Sequence, residues 1–446
     1  MTPPHNEAAR ALDALRSSWT RTEAPQPTSR SRPVTAKAFD FATLPDFEQM
    51  KLQRAAADMI GIGSPFFRTI DAVEGSRVMI DGEERVQYGS YDYLGLNQDP
   101  RISDAVARAT KTWGVSASAS RVVGGERPFH REFERKLADV YGTEDALAFV
   151  SGHATNVSTI GSLMGPKDLV LIDALIHNSI SEGVRLSGAQ RLTFPHNDTD
   201  WLNRKLAETR HQYENVLIVT EGLYSMDGDA PNLSRLIDVK SRHKAWLMVD
   251  EAHALGVLGA TGRGLGEAQG IDGSDVEIWM GTLSKTLCSC GGYIAGSSSL
   301  IEYLKFKAAG FVFSVGLSAP HAAAASTALD IMLAEPERVE RLAANGARFL
   351  ERAKAAGLDT GHAVGSAVAP VIVGDSIRTA ILADRVFKRG VNALPIIFPA
   401  VPEKAARLRF FLTAMHSFDE IDEAVEITAD ELGKIAHLNL EALMSG

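Results

Sequence analysis

Lys285 lies in GTLSKTLCSCGGYIAG (281–296), 35 residues beyond Asp250, the first acid of MVDEAHALG (248–256). A lysine among small residues, downstream of an apolar run ending in Asp-Glu-Ala-His, suits a Schiff-base site. The amine would hold an aldehyde cofactor. The carboxylate would hold the cofactor ring, keeping a pyridine nitrogen protonated so that the ring serves as an electron sink. Taken singly, each residue has a plainer explanation. An Asp at a strand end is usually a cap or structural acid, and a lone lysine usually faces solvent. Gly281, Thr282 and Ser284 change that balance. They let backbone and hydroxyls approach a phosphate, and they crowd Lys285 into a cleft.

Three further features have the same character. His253, in the same run as Asp250, could reach a phenolic oxygen. His177, in DALIHNSI, follows the apolar run LVLID (169–173) and could stack on a flat ring; alone it reads as a helix cap or a buried histidine. SGHATN (151–156) follows ALAFV and opens a helical pattern. A Ser-Gly turn at a helix start offers free amides at the positive end of the helix dipole, a cradle for phosphate.

The elements that must position these residues are legible as apolar runs: ALAFVS (146–151), LVLID (169–173), QRLTFP (190–195), NVLIVTE (215–221), AWLMVDEA (245–252), EIWMGTL (277–283) and YIAG (293–296). Amphipathic stretches such as TDWLNRKLAETRHQY (199–213) separate them. Strands apolar on both faces and joined by helices imply an α/β fold with a mostly parallel sheet covered on both sides. The motif residues follow the runs, at the carboxyl edge where such sheets bind ligands.

Residues 1–45 are rich in Pro, Ser, Thr and Arg and read as a flexible arm. Residues 46–100 hold a short helix (46–60) and a hairpin turning at Asp81-Gly82. A large domain spans 101–330. A smaller α+β domain spans 331–446, with a helix over 336–357, an apolar strand VAPVIVGD, a helix from SIRTAILADRVFKRG, the strand ARLRFFLTA (406–414) and a terminal helix from Phe418.

The 446 residues are 45% hydrophobic and 23% charged, an ordinary globular composition. Net charge is −10, which argues against non-specific nucleic-acid binding. Lys305 and Lys307 read as a solvated face. Mean hydropathy is −0.05, and no apolar run reaches the length of a membrane span, so membrane contact is at most peripheral. No secretory signal is evident. The two cysteines, Cys288 and Cys290, give no metal framework, read as small buried residues and suit a reducing cytoplasm.

Together the motifs are far more specific than any one of them. SYDYLGL (90–96), ASASRVVGG (117–125), SGHATN, DALIHNSISEGVRLSGA, FPHND (194–198), TEGLYSMDGDAPNL (220–233), VDEAHALGVLGATGRG, GTLSKTL, GGYIAG, FPAVP and RLRFFLTAMH (407–416) occur in order. They resemble the fold-type I pyridoxal-phosphate enzymes, and within them the α-oxoamine synthase family, which includes serine palmitoyltransferase and 8-amino-7-oxononanoate synthase. The resemblance covers residues 85–435. It implies pyridoxal 5′-phosphate on Lys285, Asp250 paired with the pyridinium, His253 and Ser225 beside the ring O3′, and His177 stacked on the ring. It places Gly152 and His153 amides, with Thr282 and Ser284 hydroxyls, on the phosphate. Arg409 would grip the substrate carboxylate, a task suited to a bidentate guanidinium. Active sites would lie at a homodimer interface, with Ser314 reaching the partner subunit's phosphate.

The implied reaction is a decarboxylative condensation of an amino acid with an acyl thioester, carried by coenzyme A or acyl carrier protein. The sequence departs from the family's usual form at Tyr91-Asp92-Tyr93, at Val315 and at His153. Asp92 reads as a charge near the active-site entrance, and Ser118 and Ser120 as part of the amino-acid side-chain pocket. Serine is the expected amino acid, with alanine or glycine as alternatives, and a long-chain acyl group the expected donor. A biotin-pathway synthase, a 2-amino-3-ketobutyrate ligase, an aminotransferase and a non-catalytic subunit are the competing readings. Such subunits commonly lack the lysine, so Lys285 argues for catalysis.

Overall fold

The computed structural model describes residues 40–59, 61–436 and 438. The expected arm lies outside the described residues as far as residue 39. From residue 40 the chain forms a 3-10 turn, Phe41–Thr43, whose Ala42 amide bonds to the Asp40 carboxylate. A helix, Pro45–Met59, follows, opening on Pro with Asp46 and Glu48 in its first turn, as a helix dipole favours.

Beyond it, strands β1 (Ala72–Glu74), β2 (Arg77–Ile80) and β3 (Glu83–Gln87) form an antiparallel sheet that β12 (Val391–Asn392) joins in parallel. The β2–β3 turn is the two-residue type that needs positive φ twice: Asp81 has φ 54° and Gly82 75°.

The apolar runs form one seven-stranded sheet: β4 (Asp145–Phe149), β5 (Leu169–Asp173), β6 (Gln190–Phe194), β7 (Val216–Glu221), β8 (Trp246–Asp250), β9 (Ile278–Thr282) and β10 (Gly292–Gly296). Their order is β4-β10-β9-β8-β7-β5-β6, and β10 alone runs against its neighbours. Alternate residues feed two separate cores. Leu147, Phe149, Val170, Ile172, Val219 and Met248 pack on one face. Ala146, Ala148, Leu169, Leu171, Ile218 and Val249 pack on the other. Burial on both faces is why β4, β5, β7, β8, β9 and β10 read as continuous apolar runs rather than alternating ones, whereas β6, at the sheet edge, buries only Phe194.

A smaller C-terminal sheet has the antiparallel order β11-β14-β13, from Val368–Ile372, Arg407–Phe411 and Leu394–Ile396. Helices Glu337–Ala355, Ser376–Lys388 and Phe418–Ala436 accompany it. In β14 the period of two sends Leu408 and Phe410 into the core. It leaves Arg407 and Arg409 on the other face, where both bond to the turn 225–227. Among the described residues no helix is long and apolar enough to cross a membrane, and no cluster of three or more His, Cys, Asp or Glu is placed to hold a metal ion.

Candidate active site

Strands β4, β5, β7, β8 and β9 share one direction, so the residues after them gather at one edge. There Gly152, His153, His177, Ser225, Asp250, His253, Thr282, Ser284, Lys285 and Arg409 line one cavity of about 550 Å³. Residues up to 257 positions apart in sequence thus face a common space.

Asp250 closes β8 and is buried. Its Oδ2 accepts from Asn156 Nδ2 at 2.8 Å, and its Oδ1 from the Ala252 amide at 3.0 Å. Asn156 Nδ2 also donates to Ser179 Oγ, 3.0 Å away. The same Ser179 hydroxyl lies 2.7 Å from His177 Nδ1. His177 is also the N-cap of helix Asn178–Ser187, accepting from the Ser179 amide. Capping and cavity lining therefore coexist in this histidine. Burial holds His177 below the ordinary imidazole range, opposed by Asp250, with Lys285 and His153 adding to the depression.

Lys285 follows β9, and burial lowers its amine to about 8, against the pull of Asp250 and Glu221. Its Nζ lies 5.5 Å from the Tyr91 ring centroid. A neutral amine within reach of neutral pH is the form that attacks an aldehyde. Glu221 ends β7 fully inside the protein, and burial next to Asp250 pushes its carboxyl up to about 8. Its two oxygens accept from the His177 amide at 2.7 Å and the Ser225 amide at 3.3 Å.

His253 Nδ1 meets the Tyr93 hydroxyl at 2.7 Å, which leaves Nε2 for a ligand in the cavity. Its ring stacks on Phe411, centroids 5.9 Å apart. Burial drives it well below the ordinary imidazole range, with Lys285 and Arg409 adding to that effect. Arg409 donates to the Ser225 carbonyl at 3.0 Å and lies 4.3 Å over the Phe411 ring. Its Nε is buried without a partner, a donor left over for a ligand.

At the other end, Ser151 caps helix Gly152–Leu163: its Oγ accepts from the Ala154 amide and its carbonyl from Thr155. The Gly152 and His153 amides, earlier in that turn, have no intrahelical acceptor. Thr282 Oγ1 lies 2.9 Å from Ser284 Oγ beside them. A Cβ at Gly152 would come within 2.7 Å of Thr282 Oγ1, so only glycine lets helix start and hydroxyls converge.

Three expected site residues lie elsewhere. Asp92 accepts from the Leu96 and Asn97 amides at 2.8 and 3.1 Å, meets Cys288 Sγ at 3.7 Å and lines a different cleft of about 390 Å³. Its carboxylate thus closes a local turn. Ser120 Oγ donates to the Val312 carbonyl at 2.6 Å, outside the cavity. Ser314 follows the short helix Ala309–Val312 and does not line the cavity of its own protomer. The two cysteines differ from the expected buried pair. Cys288 is half-buried, while Cys290 is exposed at the cavity edge. Conversely, Asn156 and Glu221 line the cavity although sequence reasoning singled out neither, and Tyr91 and Tyr93, noted only as a departure from the family's usual form, contact Lys285 and His253. The signal available was their place inside motifs already read: SGHATN, TEGLYSMDG and SYDYLGL.

The cavity offers a place for each part of pyridoxal phosphate: an amine for its aldehyde, a buried carboxylate for its ring nitrogen, and a helix start with two hydroxyls for its phosphate. Fold and site together define a fold-type I pyridoxal-phosphate transferase. The sequence pattern of the aminotransferase class I and II family matches residues 83–427. An 8-amino-7-oxononanoate synthase from Symbiobacterium thermophilum is 41% identical over 82% of this chain and 94% of its own length. The serine palmitoyltransferase of Sphingobacterium spiritivorum is 38% identical over 81% of this chain and 90% of its own. A solved serine palmitoyltransferase from S. paucimobilis, with bound PLP–myriocin aldimine, superposes with a TM-score of 0.85 at 28% identity, covering 90% of this chain and 100% of that one. The chain belongs to the aminotransferase class I and II family, in its α-oxoamine synthase group.

Proposed function

We propose that this chain condenses serine with a long-chain acyl thioester, releasing CO2 and the free thiol and yielding an α-amino ketone. The carrier of the donor is coenzyme A or an acyl carrier protein. The observation that carries the condensation reading is Arg409. It is a buried guanidinium with an unpartnered Nε, with Lys285 lining the same cavity. That arrangement suits a substrate with a carboxylate beside the carbon whose proton is removed.

When bound, pyridoxal phosphate delocalises the electron pair left at the amino-acid Cα. Lys285 would hold the cofactor through its aldehyde, and its amine, lowered to about 8, would take and return the Cα proton of the amino acid. Asp250, fixed by Asn156, supplies the negative charge that keeps the ring nitrogen protonated. His253, backed by Tyr93, and Ser225 attend the phenolic oxygen. His177 covers the ring and orients the thioester carbonyl. Glu221 ties the amides of His177 and Ser225 into one unit.

We assign the active form to a homodimer. Val122, Val123, Phe306, Phe313 and Val315 are exposed, 86% for Val123 and 87% for Phe313. An apolar belt of this kind supports a second copy of the chain there, which would carry Ser314 toward the partner's phosphate.

Glycine, alanine and serine tested against short and long acyl thioesters of both carriers, with products weighed by mass spectrometry, decide the substrates. Serine with a palmitoyl donor is expected to give product, CO2 and thiol. No product from that pair, with turnover of alanine and a shorter donor, would support the second reading, a biotin-pathway synthase, which the 41% identity to such an enzyme favours.

A further inference from the structure

His196 stands outside the cavity, in FPHND after β6. Its Nδ1 lies 2.8 Å from Asp173 Oδ1 and its Nε2 2.8 Å from Asp229 Oδ2. Both carboxylates are buried. A neutral imidazole could donate to only one of them; the doubly protonated ring donates to both. Burial alone would lower this imidazole, but the two carboxylates outweigh it and raise it to about 10.

The two acids belong to the two segments that carry the cavity's side walls. Asp173 ends β5, and its Oδ1 also accepts from the Leu175 amide, shaping the turn into His177. Asp229 ends the turn that presents Ser225 and Met226, its carbonyl accepting from the Tyr224 amide at 2.9 Å. The His196 ring packs edge-on against Tyr224, centroids 4.5 Å apart. Asn197, held at φ 56°, adds a second tie, with its amide on Asp173 and its Nδ2 on Asp229, both at 2.9 Å. The far side of the same turn is held by Arg407 on Asp227 and by Arg409 on the Ser225 carbonyl. Asp227 Oδ2 and Asp229 Oδ1 are buried without partners, so each of these carboxylates depends on the partners of its other oxygen, Arg407 for Asp227 and His196 with Asn197 for Asp229.

We propose that His196, bonded through both ring nitrogens to Asp173 and Asp229, is a positioning residue that fixes the Ser225 turn against the His177 segment and so seats Arg409 for its carboxylate. Without it, two buried carboxylates would face each other with no cation between them, and the turn would move to separate them.

The test is His196→Phe, which keeps the ring against Tyr224 and removes the cation. In cofactor-free protein, backbone amide exchange over residues 222–230 is expected to accelerate by at least about tenfold, with β8 and β9 unchanged. In the holoenzyme, KM for the amino acid is expected to rise about tenfold or more while kcat falls less than about threefold. Wild-type exchange in a folded variant would overturn the proposal. The seating of Arg409 rests on the condensation reading. Accelerated exchange with an unchanged KM would leave the clamp standing and overturn the carboxylate role of Arg409 instead. If His196→Phe does not fold, Asp229→Asn keeps the shape and weakens one arm, and the same two measurements apply; no change in either would overturn the clamp.

Discussion

Asn156 Nδ2 donates to Asp250 Oδ2 at 2.8 Å, from the fifth residue of the helix that opens with the free Gly152 and His153 amides. The residue that fixes Asp250 thus sits on the same helix as the two amides proposed for the phosphate.

Replacing Asn156 by Ala should therefore loosen the cofactor without unfolding the protein. A hydrogen bond to a charged group contributes about 1.5–3 kcal/mol, which predicts a roughly 10- to 100-fold rise in the cofactor dissociation constant. Spectroscopic titration of cofactor-free protein measures it. An unchanged constant would mean that Asp250 needs no second partner.

Gly152→Ala tests the opposite end. The new Cβ would lie 2.7 Å from Thr282 Oγ1 and 3.2 Å from Thr282 Cβ. A β-branched side chain on a strand has little freedom to retreat, so Thr282 must rotate and give up its contact with Ser284. Cofactor affinity is expected to fall by about tenfold. Affinity for the phosphate-free aldehyde should stay the same, and a parallel loss for both would place the defect elsewhere.

The Lys285 amine, lowered to about 8 chiefly by burial, gives a pH signature. Only the neutral amine attacks an aldehyde, so the rate at which cofactor-free protein captures pyridoxal phosphate should climb with pH and level off above about 8. A free lysine would keep climbing toward about 10.4. Stopped-flow absorbance across pH 6–10 reads the midpoint; a midpoint near that of free lysine would contradict a buried amine.

Six of the seven strands of the main sheet were readable because burial on both faces removes the polar positions that blur other strands; the edge strand β6 keeps Gln190, Arg191 and Thr193 outside the core. Leu169–Asp173 and Trp246–Asp250 stand almost where their apolar runs stand in the chain. That Lys285, Asp250, His253 and His177 line one cavity was foreseeable because each follows such a run. Asn156, Glu221 and Tyr93 were not. Their partners lie 94, 44 and 160 positions away, and nothing local distinguishes them from neighbours. Asp92 shows the converse. Its carboxylate bonds amides four and five positions on, so a local turn consumes the charge that looked free for substrate. Ser120 likewise spends its hydroxyl on a carbonyl 192 positions away.

The central claim is that the Lys285 amine holds the cofactor covalently. Borohydride reduction of the holoenzyme, followed by digestion and peptide mass analysis, tests it directly. The account predicts the added mass of reduced pyridoxal phosphate on the peptide containing Lys285, and its absence in Lys285→Ala. The same mass on another lysine, or an active holoenzyme with no adduct at all, would contradict it.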